Sequence, residues 1–349
     1  MARCLVGCGS NVGNRRDHLD RAVELLGFMP GVALRAVSRF RETRPVGGPA
    51  GQAAYLNAAC LIETDLGPRE LLDALAAVEQ TLLRQRSERW AARTIDLDLL
   101  LYDDLVLESD ALTLPHPRMA TRRFVLEPCV EIAAEFGHPA AGRPLRDLLA
   151  NISVPHPLVA VVGAPGSGAA EVAEAVADAT LARHLPAPVS VPVDGDPAAW
   201  RAVAAEWARP LAARDWDDAG HVTVADFWLD GLSIAAAAHL DDAAVAALEA
   251  DVLRIAAGAV VPNVVILLRT DAAVLAERLA GEAAGRGGTA VCAAPEAVSA
   301  ALAEQERLDR RLRGPGALRD RTPLAVVTVD AADPHRAAVE ATAAVEAMV

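Results

Sequence analysis

Along the first 150 residues the apolar positions change period several times. A short apolar run at residues 4–7 leads into Gly9-Ser10-Asn11, and Leu19, Val23 and Leu26 then fall on one face of a helix. Residues 32–46 and 55–63 read as strands joined by a loop holding Gly47, Gly48, Pro49 and Gly51. Pro68 opens a second helical pattern with Leu71, Leu75, Val78 and Leu82 in register, and residues 94–102 form a strongly apolar strand. This β-α-β-β-α-β order predicts an α+β, ferredoxin-like layer fold.

The pattern changes after Ile152, where Pro155 and Pro157 mark a linker. Two domains are therefore expected, 1–152 and 158–349. The second starts with a strand at 158–162, a glycine-rich turn and a helix. Another apolar strand follows at 264–268, and a strand at 324–329 precedes a final helix. That layout predicts an α/β, P-loop-kinase-like fold with a parallel sheet.

Composition narrows the function classes. The chain has 349 residues, 53 % of them hydrophobic, so each half can bury a core. All 33 basic residues are arginine, which makes arginine number by itself uninformative. Residues 1–152 hold 18 Arg against 20 acidic residues, and 153–349 hold 15 against 27, within a net charge of −14. Neither balance suits a nucleic-acid partner. The five cysteines form no CxxC pair, which suits reduced thiols in a cytoplasmic protein. The longest apolar stretch, 255–268, is broken by Pro262 and Asn263, so no membrane span is expected.

The segment from Arg84 to Asp98 carries the chemistry: Arg84, Arg86, Arg89, Trp90 and Arg93 precede Asp96 and Asp98. On a strand Asp96 and Asp98 share a face, while Ile95, Leu97 and Leu99 take the other. Two carboxylates side by side offer hard oxygen ligands for Mg²⁺ bridging nucleotide phosphates. Arginine forks beside them can neutralise phosphate oxygens, the pairing that phosphoryl transfer needs.

This stretch resembles the hydroxymethyldihydropterin pyrophosphokinase signature, roughly R-W-G-P-R-T-[IL]-D-[IL]-D. Further marks of that family follow in order: Gly9-Ser10-Asn11, Tyr55-Leu56-Asn57-Ala58, and Pro115-His116 with Arg122 and Phe124 beyond. The resemblance covers nearly all of 1–150. It implies transfer of diphosphate from ATP to the hydroxymethyl group of 6-hydroxymethyl-7,8-dihydropterin, giving AMP, in folate biosynthesis. By the same resemblance Asp96 and Asp98 hold two Mg²⁺ ions. Arg84 and Arg93 contact the triphosphate, with Thr113, His116 and Arg122 also at the nucleotide. Tyr55 and Phe124 sandwich the pterin, Asn57 pairs with its amide edge, Thr43 and Val46 line the pocket, and Trp90 acts as a lid. The chain departs from the family at Ala91-Ala92, where Gly-Pro is common, and at Arg44 and Pro117.

In the second half, Gly163-Ala-Pro-Gly166-Ser-Gly168-Ala169-Ala170 follows a strand and precedes a helix, the context of a P-loop. Ala169 stands where the phosphate-binding lysine belongs and Ala170 where the Mg²⁺-binding hydroxyl belongs. The remainder resembles bacterial deoxynucleoside kinases in Asp226-Phe227-Trp228-Leu229-Asp230, in the 274–279 helix with Arg278, and in a lid-like stretch at 281–288, with Asp194 near the catalytic carboxylate. The expectation is a degenerate kinase module, structural or regulatory, with a homodimer through it as a further expectation. Two alternatives stand beside this reading: a non-catalytic pterin- and nucleotide-binding scaffold, and a bifunctional enzyme with an active deoxynucleoside kinase.

Overall fold

A computed structural model describes residues 1–49, 51–82, 92–192, 195–212, 216, 222–285, 294–313 and 325–349. Arg84, Arg86, Arg89, Trp90, Ala91, Asp194, Cys292, Leu324 and residues 286–288 of the 281–288 stretch lie outside the described residues. The chain divides into two compact units, one of Met1–Ile152 with Glu346–Val349 and one of Ser153–Val345.

In the first unit, β1 (Ala2–Ser10) leads to α1 (Arg15–Gly27), started by the Asn14 side chain accepting from the Asp17 N–H. Strands β2 (Val32–Val37), β3 (Arg41–Thr43) and β4 (Tyr55–Thr64) follow, then α2 (Pro68–Thr81) and β5 (Asp96–Tyr102). They form an antiparallel sheet in the order β2-β4-β1-β5, with β3 also on β4. Cys4, Val6 and Cys8 of β1, Ile62 of β4, and Leu97 and Leu99 of β5 pack with Leu19 and Leu26 of α1 and Leu71 and Leu75 of α2. This period-two burial puts the intervening residues of β1, β4 and β5 on the opposite face.

The strand expected over 32–46 is two strands, and Val46 falls in the loop after β3. Ser38 makes the break. It is 4 % exposed, its Oγ accepts from the Ala59 N–H at 2.9 Å, and its own N–H donates to the Ala59 carbonyl. A side chain that replaces a ladder partner interrupts the strand without interrupting the apolar pattern.

Short pieces complete the unit: β6 (Leu107–Glu108) with β7 (Thr113–Leu114), α3 (Arg123–Ala133), β8 (Gly137–His138) with β9 (Arg143–Pro144), and α4 (Leu145–Ile152).

The second unit runs β10 (Leu158–Val162), α5 (Ala169–Thr180), β11 (Arg183–Leu185), α6 (Pro197–Ala208), β12 (Thr223–Ala225), α7 (Leu229–Ala236), α8 (Asp242–Ala256), β13 (Val264–Arg269), α9 (Ala272–Gly285), α10 (Pro295–Arg313), β14 (Ala325–Asp330) and α11 (Pro334–Glu346). Its five strands are parallel in the order β11-β12-β10-β13-β14. The central strand, β10, is buried at every position, as a parallel strand covered on both faces must be. No described helix is long and apolar enough to cross a membrane.

Candidate active site on the antiparallel sheet

Three residues line up across the first sheet. Asn57 of β4 pairs with Gly9 of β1, and Gly9 pairs with Asp96 of β5. A Cβ at Gly9 would stand 3.0 Å from Asn57 Oδ1, 3.8 Å from Tyr55 Cδ1 and 4.0 Å from Asp96 Cβ. A side chain at residue 9 would therefore fill the space between the Asn57 and Asp96 sides. This gives a physical reason for the glycine in Gly9-Ser10-Asn11.

Asp96 and Asp98 are half-buried on the face opposite Leu97 and Leu99, which are 5 % and 3 % exposed. Strand β5 is an edge of the sheet. Beside it lies a cleft of ≈ 480 Å³ lined by Asp73, Ala76, Glu79, Arg93, Asp96 and Asp98 among others. The donor set fits Mg²⁺: the Asp96 and Asp98 carboxylates, on one face of β5, both line this cleft. Substrate phosphate oxygens and water would complete the six oxygen ligands that Mg²⁺ takes.

Arg93 sits against this pair. Its Nη1 donates to Asp96 Oδ2 at 2.8 Å. Burial disfavours the guanidinium charge, but Asp96, Tyr55 and Asp98 outweigh burial and push its pKa up. Its backbone is fixed too, with the Arg93 N–H donating to Asn11 Oδ1 at 2.7 Å and the Asn11 N–H to the Arg93 carbonyl at 3.1 Å. The Asn11 amide reaches the other way to Gln52 Oε1 at 3.2 Å, and Gln52 Nε2 donates to the Gly47 carbonyl at 3.4 Å. Asn11 thus ties the segment before β5 to the loop between β3 and β4.

On the other flank, Thr43 pairs with Tyr55, the first residue of β4. Asn57, 7 % exposed, donates from Nδ2 to Thr43 Oγ1 at 2.7 Å. An amide side chain also has a second N–H and a carbonyl oxygen to offer a ligand. Val46 is half-buried in the adjoining loop.

Beyond β7, where Thr113 lies, the His116 N–H donates to the Leu100 carbonyl of β5 at 2.8 Å. His116 Nδ1 accepts from the Arg118 N–H at 3.2 Å. That bond leaves the proton on Nε2, which is then a donor. Burial, then the charges of Arg122 and Arg118, push the His116 pKa down to about 3. Arg122, at the start of α3, stacks its guanidinium 5.5 Å from the Phe124 ring centroid. Burial and Arg118 lower its pKa to about 10 despite Asp98 and Asp96. Cations crowded together in this way favour an anion among them.

A pH dependence follows for the folded state. An unfolded His116 has a pKa near 6.5, so between 6.5 and about 3 the unfolded chain binds a proton that the folded chain excludes. Stability falls as pH falls through that window. The His116→Asn variant is expected to lose less stability than the parent between pH 7 and 4, read from urea midpoints. Parallel curves for the two proteins would overturn this.

Two residues take a part that the sequence assigned to neither. Asn11, the end of Gly9-Ser10-Asn11, is one. The other is Glu79, 5 % exposed on α2, whose Oε1 accepts from the Leu97 N–H at 2.7 Å, between the two aspartates. Its signal was present: Glu79 lies four residues after Leu75, an acid on the apolar face of a helix.

In the second unit, α5 begins at Ala169 after Gly168, and Gly166 and Gly168 have φ of 79° and 80°. Ser167 is buried, and a Cβ at Gly163 would collide with its Oγ. Arg278 donates to the Ser167 carbonyl at 3.0 Å and the Gly166 carbonyl at 3.3 Å, and through Nη2 to the Ala331 carbonyl at 2.6 Å.

Residues 5–134 match the model of the family described as 7,8-dihydro-6-hydroxymethylpterin-pyrophosphokinase. The chain is 38 % identical over 148 residues to a 2-amino-4-hydroxy-6-hydroxymethyldihydropteridine pyrophosphokinase of Synechocystis, covering 42 % of this chain and 75 % of that one. It is 44 % identical over 130 residues to the enzyme of that name from Bacillus subtilis, covering 37 % and 77 %. Among solved structures, a gluconokinase from Sinorhizobium meliloti is similar at 17 % identity with a TM-score of 0.29, over 56 % of this chain and 91 % of that one. On the two enzyme relatives and the family match, this chain belongs to the 7,8-dihydro-6-hydroxymethylpterin-pyrophosphokinase family.

Proposed function

We propose that the first unit transfers diphosphate from ATP to the hydroxymethyl oxygen of 6-hydroxymethyl-7,8-dihydropterin, releasing AMP. The observation that carries this reading is the row Asn57–Gly9–Asp96, an amide able to pair with a pterin edge set one glycine away from a metal-binding carboxylate. The sheet order β2-β4-β1-β5 with α1 and α2 on one face supports a ferredoxin-like reading of this unit.

In this mechanism Asn57 and Thr43 orient the pterin, and Tyr55 and Phe124 stack on its two faces, with Val46 at the side. Arg93, His116 and Arg122 bind phosphate oxygens, with Thr113 beside the nucleotide. Arg84 and Trp90 take the triphosphate and lid roles that the family resemblance gives them. Neutral His116 donates from Nε2, so it needs no proton exchange to bind an anion. Two Mg²⁺ ions held by Asp96 and Asp98 would neutralise charge on the β- and γ-phosphates. The pterin hydroxyl oxygen attacks the β-phosphorus and gives up its proton to solvent water, the bond from that phosphorus to the α-phosphate oxygen breaks, and AMP leaves. Positioning and charge neutralisation supply the acceleration.

For the second unit we infer a P-loop-like fold without kinase chemistry. Ala169 and Ala170 lack the cation and hydroxyl that phosphate and Mg²⁺ require, and Arg278 is committed to loop carbonyls. A homodimer through this unit is a proposal that sedimentation velocity tests. The buried free thiols of Cys4, Cys8, Cys60 and Cys129 suit our reading of a cytoplasmic protein.

The test of the activity is AMP release by the full chain with ATP, Mg²⁺ and 6-hydroxymethyl-7,8-dihydropterin. Pterin-dependent AMP is expected. Folded protein that binds both substrates and releases no AMP above background would replace this reading with that of a binding scaffold.

A further inference from the structure

Residues 346–349 are part of the first unit, although the whole second unit separates them from Ile152 in sequence. Ala347 and Met348 are 4 % and 1 % exposed. Their carbonyls converge on one residue. The Arg123 N–H donates to the Ala347 carbonyl at 2.8 Å, and Arg123 Nε donates to the Met348 carbonyl at 3.0 Å. The neighbouring Glu346 Oε2 accepts from the Gly47 N–H at 3.4 Å.

Both anchor points adjoin the proposed substrate groups. Arg123 opens α3 and stands between Arg122 and Phe124. That helix has no side-chain cap of its own, so its first N–H needs an outside acceptor, and Ala347 provides it. Gly47 belongs to the loop that follows Thr43 and Val46, the loop that Gln52 and Asn11 link to Arg93. One four-residue segment therefore holds the start of α3 and the β3–β4 loop at once.

We infer that residues 346–349 are a positioning clamp: by capping α3 at Arg123 and holding Gly47, they set the affinity of the site for pterin and ATP. The inference rests on the proposed roles of Arg122, Phe124 and the β3–β4 loop. Nothing in the clamp touches the reacting atoms. Its loss acts on the placement of Phe124 and Arg122, hence on binding more than on the chemical step.

The test compares the full chain with a chain ended at Val345, and with Arg123→Ala and Arg123→Lys. Lysine retains a donor for the Met348 carbonyl, and alanine does not. In the shortened chain and in Arg123→Ala, KM for pterin and ATP is expected to rise about 5- to 10-fold, the scale of one or two lost hydrogen bonds, with kcat changing less than about 2-fold. Arg123→Lys is expected to recover most of the affinity. Hydrogen exchange of the amides at 123–126 is expected to quicken about 10-fold in the shortened chain, and this readout needs no turnover. Unchanged KM values overturn the inference, and so does a fall in kcat at constant KM that tracks a loss of folded protein. Arg123→Lys as impaired as Arg123→Ala also overturns it. A full chain that releases no AMP defeats the pyrophosphokinase reading instead, and exchange at 123–126 still decides whether the clamp exists.

Discussion

Asp98→Ala is expected to lower pterin-dependent AMP release at least about 100-fold, about 2.7 kcal/mol of transition-state stabilisation, while leaving the fold in place. The side chain is half-buried on the face of β5 away from the α1–α2 core, and the ladder pairing of Asp98 with Gly7 uses backbone only. Removing it opens no cavity in that core, so the stability change stays within about 0.5 kcal/mol. Asp98 makes a cleaner test than Asp96, whose carboxylate also holds Arg93. Asp98→Asn separates charge from shape, because it keeps the size of the side chain and loses the negative oxygens that a Mg²⁺ ion requires. Both variants are measured by AMP release over a range of Mg²⁺ concentrations. Turnover within threefold of the parent in either variant would remove Asp98 from the metal site.

Arg122→Ala is expected to cut kcat/KM for ATP about 100-fold with almost no cost to folding. Arg122 sits among Arg118, Arg93 and His116, and its lowered pKa of about 10 records that the folded state disfavours its charge. Taking it away relieves that repulsion and gives up the contact with the Phe124 ring, worth about 0.5–1 kcal/mol. These effects oppose each other, so the thermal midpoint stays within about 4 °C of the parent, the equivalent of about 1 kcal/mol. The Arg122 charge is also the largest electrostatic cause of the low His116 pKa, so that pKa rises toward its ordinary value in the variant. Steady-state kinetics, a melting curve and the His116 ring signals in NMR check the three parts. A large loss of stability with kcat/KM unchanged would make Arg122 a structural residue.

Local pattern makes the chemistry of β5 readable. Alternation alone sends Asp96 and Asp98 to one face and Leu97 and Leu99 to the other, and the described burial follows that alternation. What the pattern misses depends on distant partners. Ser38 breaks the expected 32–46 strand because its hydroxyl meets Ala59, and no local signal announces that bond. Glu79 is visible as an acid on the apolar face of α2, but its acceptance of the Leu97 N–H depends on how that helix meets β5. Arg278 is visible as a helical arginine, but its bonds to the loop at 166–167 depend on how β13 brings α9 back to that loop. Helical spacing extends to Glu346 without indicating that the next residues complete the other unit. Arg84 and Trp90, readable as motif positions, lie outside the described residues.

That last feature has a consequence for biosynthesis. When the ribosome has made residue 152, the first unit still lacks Glu346–Val349, and the opening N–H of α3 has no Ala347 to meet. At about 5–20 residues per second, translation of the intervening residues takes roughly 10 to 40 s. Throughout that interval the nascent enzyme carries an uncapped helix next to Arg122 and Phe124. Messages cut short within the second unit would yield chains that keep the proposed pterin and ATP residues of the first unit and lack Glu346–Val349.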